Sequence, residues 1–212
     1  MVGYGVLREC LLATDVQQVT TIGRTASGIQ DAKLREIVHK DLSNYSSFES
    51  QLTGLDACFF CLGVTSAGMS ETDYERVTYG ITMAAAETLV RLNPQMTFVF
   101  ISGAGTDSSE KGKVMWARIK GKAENALLRL PFKGVYIFRP GIIEPVKGAR
   151  SKTASYRFFY AIFKPVLPFL RRALPNYILT TEQIGLAMLT LARSGSSKHV
   201  FESGDIYELV KP

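Results

Sequence analysis

Residues 96–109 read MTFVFISGAGTDSS, an apolar run that passes straight into glycine, alanine, serine and threonine. The apolar part carries no polar alternation. That suits a strand covered on both faces, as in a parallel sheet flanked by helices. The small residues that follow leave the backbone open to a ligand, and in such sheets ligands bind at the carboxyl ends of the strands. The same sentence is written three more times: DACFFCLGVTS at 56–66, VQQVTTIGRT at 16–25 and GVYIFRPG at 134–141. One such ending is an ordinary turn. Four at equivalent places point to a site the size of a nucleotide.

Helical patterns lie between these runs. Val2, Val6, Leu7, Cys10 and Leu11 share one helical face. REIVHKDL at 35–42 reads as another strand, with a short helix expected around NYSSFESQL at 44–52. A long helix is predicted from Glu71 to Leu92, stopped by Asn93-Pro94, and another from Lys113 to about Leu130, stopped by Pro131. Strands alternating with helices make βαβ units. The fold class is therefore α/β, a parallel sheet with helices on both faces. The whole chain, 1–212, is read as one domain, with a basic, apolar segment at 145–181.

The composition narrows the function. Of 212 residues, 46% are hydrophobic and 21% charged, ordinary values for a globular domain. The sequence has no apolar run of the ~18 residues that a membrane span needs. Arg8 and Glu9 interrupt any signal-peptide core. A cytoplasmic location is the default expectation. The net charge is +6, and seven cations sit between Pro145 and Thr181 with no acid among them: Lys147, Arg150, Lys152, Arg157, Lys164, Arg171 and Arg172. The remainder is near neutral, so no nucleic-acid partner is expected. Cys58 and Cys61 form a C-x-x-C, but on a strand residues three apart point to opposite faces. They read as core residues, no metal site is expected, and His39 and His199 read as structural or surface groups.

Three stretches together carry a resemblance: DACFFCLGVTSAGMSETDYERVT, ISGAGTDSSEKGKVMWARIKGKAENALL and FRPGIIEP. Through them the chain resembles the atypical, epimerase-like branch of the short-chain dehydrogenase/reductase superfamily, including its Tat-interacting-protein-like group. The resemblance implies an NAD(P)-binding, Rossmann-like fold with a G-x-x-G-x-x-G loop between the first strand and first helix, and a small C-terminal substrate lobe at 145–181. Gly3, after Val2, matches the third glycine of that loop. The first strand and the first two glycines have no counterpart in this chain. The expected consequences are a gap in the sheet, between the strands that would flank it, and poor cofactor binding by the chain as written.

The resemblance also implies the cofactor contacts. Arg24 stands where the family pairs a guanidinium with the 2'-phosphate of NADP, and no acid is present there for a ribose, so NADP is expected over NAD. Asp41 matches an adenine-contacting acid, although an N-cap reads equally well. Leu62, Gly63 and Thr65 match the loop beside the ribose and pyrophosphate. Pro140, Gly141 and Ile143 match the loop over the nicotinamide.

The family's catalytic helix carries Y-x-x-x-K. Here the segment reads WARIK: Lys120 is in place and Trp116 stands at the tyrosine position. An indole N–H donates a hydrogen bond but exchanges no proton near neutral pH. Trp116 either stacks near the nicotinamide or simply packs. Ser102 ends the strand where the family's serine region begins, and Thr106 or Ser108 is expected to touch substrate.

Two functions follow. The first is an NADP(H)-binding oxidoreductase or epimerase-like enzyme acting on a small molecule. The alternative is a non-catalytic NADP(H)-binding regulator or scaffold. The basic, aromatic segment RFFYAIFKPVLPFLRRALP at 157–175 raises a third reading, a peripheral contact with an anionic membrane surface. Its prolines at 165, 168 and 175 favour short helices that pack on the core.

Overall fold

A computed structural model describes residues 1–149 and 177–211. Its centre is a four-stranded parallel sheet, ordered β3-β4-β5-β8, made of Ala57–Phe60, Thr97–Ile101, Gly134–Arg139 and Val200–Glu202. Phe98 lies opposite Cys58 on one side and Val135 on the other, so the register is continuous across the middle strands.

Successive side chains along each strand enter different cores, as the pleat requires. Phe60, Phe98, Phe100, Val135 and Ile137 fill one core with Leu89 and Leu127. Val99, Tyr136, Phe138 and Phe201 fill the other with Val6, Ile184 and Met188. Cys58 packs on the first core and Cys61 on the second, the opposite faces expected of them. Full burial of side chains such as Phe98 and Phe138 is worth ~1.5–3 kcal/mol each.

Helices cover both faces. α1 (Val2–Leu12) buries Val6, Leu7 and Cys10, part of the face read from the sequence. The expected long helix is present with one irregularity. α2 (Glu71–Glu75) and α3 (Ile81–Leu92) are joined by a π-helical turn, Arg76–Gly80. Ser70 caps its start by accepting the Asp73 N–H. Asn93 ends it and is buried, its amide donating to Leu52 O and accepting the Leu55 N–H. α4 (Met115–Leu127) is shorter than expected at both ends. The stretch 44–52 forms only a 3-10 turn, Glu49–Leu52.

The remaining sheet is broken. β1 (Val19–Gly23) and β2 (Leu34–Val38) pair in parallel with each other, Val19 opposite Leu34, in a sheet of their own. Among the described residues no ladder joins β1 to β3. Yet both strands lean on the same two cores. Val19, Phe59 and Cys61 pack on one, and Ile22 and Cys58 on the other. The break falls where the sequence reading expects a gap.

The last third of the chain holds elements that the sequence reading left out. β6 (Ile142–Glu144) pairs in parallel with β7 (Ile178–Thr180). α5 (Thr181–Ser194) follows at once, started by a reciprocal capping box between Thr180 and Gln183. α6 (Ser203–Glu208) follows β8. α5 packs closely on α1. A Cβ on Gly5 would lie 2.6 Å from the Thr181 Cβ, and one on Gly185 would lie 2.9 Å from Glu9 Cγ. The second glycine of MVGYGV therefore serves helix packing.

Most of the basic segment, including Arg150, Lys152, Arg157, Lys164, Arg171 and Arg172, lies outside the described residues. Lys147 is described and pairs with Glu182 on α5. Among the described residues no helix is long and apolar enough to cross a membrane.

Candidate dinucleotide and catalytic site

Among the described residues all eight strands pair in parallel within their three sheets. The carboxyl ends of the central strands carry Phe60–Gly63, Ile101–Gly105, Arg139–Gly141 and Glu202–Ser203. These ends are held together by more than the ladder. Ser102 N donates to Phe138 O at 2.7 Å, and Ala104 N to Pro140 O at 3.0 Å. Gly141 N donates to Ser203 Oγ at 2.8 Å.

The start of α1 reaches the same end. A Cβ on Gly3 would lie 3.3 Å from Cys61 Cβ, just past β3. The first turn of α1 has no acidic residue and no side-chain cap. Its leading N–H groups have no helical acceptor and present partial positive charge. A phosphate suits that position. Gly63, exposed at the end of β3, has open space where a Cβ would stand, and Leu62 beside it is half-buried. Thr65 accepts the Ala67 N–H and orders the same loop.

Arg24 is exposed after β1 and makes no ion pair among the described residues. Its guanidinium is available to an anion. Asp41 is exposed after β2 and accepts from both Ser43 N and Ser43 Oγ, at 2.9 and 2.6 Å. Those hydrogen bonds hold its carboxyl below the usual range. The geometry is that of a turn-capping aspartate.

The candidate catalytic residues come from β4, its loop and α4. Trp116 and Lys120 are one helical turn apart, so they share a face of α4. The Trp116 ring edge lies 3.6 Å from the position of a Cβ on Gly105, a residue with φ of 83°. Only glycine is comfortable there. Lys120 Nζ stands 5.6 Å from the centre of the Phe100 ring. Burial pulls the Lys120 pKa down to about 8, and the charge of Glu124 opposes the shift.

Ser102 and Thr106 are both buried and joined to each other, with their hydroxyl oxygens 3.0 Å apart. Thr106 Oγ1 also donates to Gly103 O at 2.8 Å. Thr106, one of the two hydroxyls expected to touch substrate, also braces the loop. Ser108 is exposed and accepts from Arg139 Nη2 at 2.5 Å. Pro140 is buried, Gly141 exposed and Ile143 half-buried.

Sequence reading missed the group that ties this end together. Arg139 closes β5 and engages Glu124 on α4 through Nε at 3.1 Å to each carboxylate oxygen. The residues are far apart in the chain, so no spacing signals the pair. The thiols play no visible part in the chemistry. Burial pushes Cys58 and Cys61 up to about 12. His39 packs edge-on against Phe48, and His199 Nδ1 meets Val135 O at 2.9 Å. Among the described residues no group of three or more His, Cys, Asp or Glu could hold a metal ion.

A parallel sheet with helices on both faces, glycine- and serine-rich strand ends and a helix start at the same edge define a Rossmann-like fold. Solved structures share that fold. UDP-glucose 4-epimerase from Thermotoga maritima matches with a TM-score of 0.65 at 11% identity, over 98% of this chain and 77% of its own. The Bordetella bronchiseptica enzyme WbmF, in complex with NAD+, matches with a TM-score of 0.61 at 13% identity, over 98% of this chain and 72% of its own.

The relatives in sequence are more particular. The mitochondrial protein fmp52 of Emericella nidulans is 32% identical over 167 residues, 75% of this chain and 70% of that one. The chain belongs to the FMP52 family. FMP52-2 of Scheffersomyces stipitis is 31% identical over 144 residues, 66% of this chain and 61% of its own, so this chain spans about three fifths of that relative. Protein HTATIP2 of Rattus norvegicus, 25% identical over 143 residues, covers 66% of this chain and 58% of its own. It carries the Tat-interacting-protein likeness read from the sequence. No family model matches the chain.

The relatives correct one expectation. The FMP52 proteins are named mitochondrial, which overturns the cytoplasmic location inferred by default. That default rested on the lack of an apolar leader, and an apolar leader marks secretion, not entry to an organelle.

Proposed function

We propose that the chain is an NADP(H)-binding oxidoreductase or epimerase-like protein that acts on a small carbonyl-bearing substrate. The observation that carries the reading is Lys120. Its ammonium sits over Phe100 on the face of α4 that it shares with Trp116, beside the end of a parallel strand. A dinucleotide fits the groups around it. The start of α1 and the open backbone at Gly63 suit the pyrophosphate, Arg24 suits a 2'-phosphate, and Pro140–Gly141 backs the nicotinamide end.

The nicotinamide supplies hydride exchange when bound. The chain's residues bind, orient and move a proton. Trp116 donates a hydrogen bond and offers a ring face, but it transfers no proton. Lys120, with a pKa of about 8, would give a proton to a substrate oxygen near neutral pH. Ser102 and Thr106 brace the loop from behind.

Trp116 also favours a second reading, a dinucleotide-binding regulator without turnover. One experiment separates the two. The protein as made in its cell is titrated with NADPH and NADH while the emission of Trp116, its sole tryptophan, is followed. A panel of aldehydes and ketones is then offered with NADPH. Saturable quenching with oxidation of NADPH supports the enzyme. Saturable quenching without turnover supports the regulator. Failure of both dinucleotides to bind overturns both readings.

A further inference from the structure

We propose that Arg139 and Glu124 are a positioning pair, which fixes the loop bearing Ser108 against the helix that carries Lys120. Among the described residues it is the most buried ion pair. The Glu124 side chain is 1% exposed and that of Arg139 13%, whereas Arg193–Asp15 and Lys211–Glu208 stand largely in solvent. Surface pairs of that kind contribute little. A buried pair loses solvation, and apolar residues of similar volume often replace it without loss of stability. Retaining the charges here calls for another reason, and the surroundings supply one.

Arg139 reaches three elements from the end of β5. Its Nε bonds both oxygens of Glu124 on α4, each at 3.1 Å, and Nη2 bonds Oε2 as well. Nη2 also donates to Ser108 Oγ at 2.5 Å, and Nη1 approaches Glu202 Oε1 at 3.5 Å. The planar fork of arginine makes this branching feasible, and lysine could not reproduce it. α4 also holds the loop directly, since Asp107 N donates to Ala117 O at 3.1 Å and Asn125 donates to Ser108 O at 2.9 Å. Ser108 is therefore held at a defined place beside α4.

Glu124 stands one helical turn beyond Lys120 and is the charge that acts on it among the described residues. Arg139 fixes where that charge sits. The same guanidinium thus sets the position of Ser108 and the field at Lys120. Both residues touch the site only through others, so they are positioning residues and not catalytic ones.

The inference rests on the proposed use of Lys120, but its test needs neither cofactor nor turnover. The purified protein is treated with trinitrobenzenesulfonate across pH 6–11, and labelling of Lys120 is followed by peptide mass spectrometry. In Glu124→Gln, which keeps the shape and loses the charge, the labelling midpoint should fall by about one unit. An unchanged midpoint in the folded variant overturns the electrostatic half. Ser108→Ala removes only the exposed contact and should leave the fold intact. It should speed amide exchange in residues 103–112 by about tenfold, since a lost hydrogen bond eases the local opening that exposes them. Exchange at the wild-type rate overturns the positioning half. If wild-type protein bound no dinucleotide while both effects appeared, the functional reading would fall and the pair would stand.

Discussion

Lys120 holds its ammonium 5.6 Å from the centre of the Phe100 ring, in a setting where burial brings its pKa to about 8. The ring face and Glu124 offset part of the lost hydration, as a cation over an aromatic face does. The rest is a cost to the fold. The folded value lies below the unfolded one, so between about pH 8 and 10.5 the unfolded chain holds more proton. The contribution of this group to stability is therefore full above that window and is lost as pH falls through it. Lys120→Met should be more stable than wild type at pH 7 by ~2 kcal/mol. The difference should shrink towards pH 10. Urea unfolding at the two pH values checks this, and a variant less stable at pH 7 would show that the ammonium stabilises the fold.

Gly121, next to Lys120, marks the closest approach in the site. A Cβ there would lie 1.9 Å from the Asp107 carbonyl oxygen and 2.6 Å from its carbon. Backbone, not a flexible side-chain tip, blocks the space, so the loop must move off α4. Gly121→Ala should cost about 3 kcal/mol or more and weaken NADPH binding in the fraction that remains folded. Thermal unfolding and Trp116 titration read the two effects. The exposed Gly28 has nothing within 4 Å but a φ of 77°, so Gly28→Ala should cost only ~1 kcal/mol through strain.

The C-x-x-C of β3 should be silent in the native protein. Burial, with a smaller contribution from a neighbouring thiol, Cys61 for Cys58 and Cys10 for Cys61, pushes both thiols up to about 12. Almost no thiolate is present near neutrality. Iodoacetamide at pH 8 should label neither residue until urea unfolds the chain. Rapid labelling in native buffer would reopen a redox or metal role.

The strands and their order of use were legible because apolar runs, glycine endings and helical periodicity are local signals. β4 is an example: Thr97–Ile101 is the strand that MTFVFI announces, and its side chains divide between two cores as an uninterrupted apolar run requires. The last third was less legible. α5 does carry a local signal, with a threonine and a glutamine three residues apart at its start and Gly195 at its end, but β7 and β8 are three residues each and too short for a pattern. Arg139 and Glu124 had no signal at all, because their relation exists only once β5 lies beside α4. Thr106 or Ser108 is read as substrate-facing from its place in the loop, while the burial of Thr106 with Ser102 depends on a local turn that composition does not show.

Arg24 gives the sharpest test of the dinucleotide preference. It lies exposed at the carboxyl end of β1, where no carboxylate competes for it among the described residues. A guanidinium pairs two phosphate oxygens at once, and charge-assisted hydrogen bonds of that kind are worth ~1.5–3 kcal/mol. Arg24→Ala should therefore raise the dissociation constant for NADPH by about tenfold to a hundredfold. Binding of NADH, which lacks the 2'-phosphate, should change little. Because the side chain is exposed, its loss should not alter the melting temperature. Titration of both dinucleotides against wild type and variant, at low and moderate salt, decides the matter. Equal losses for NADPH and NADH would show that Arg24 acts on a part the two share, and no loss for either would remove it from the site.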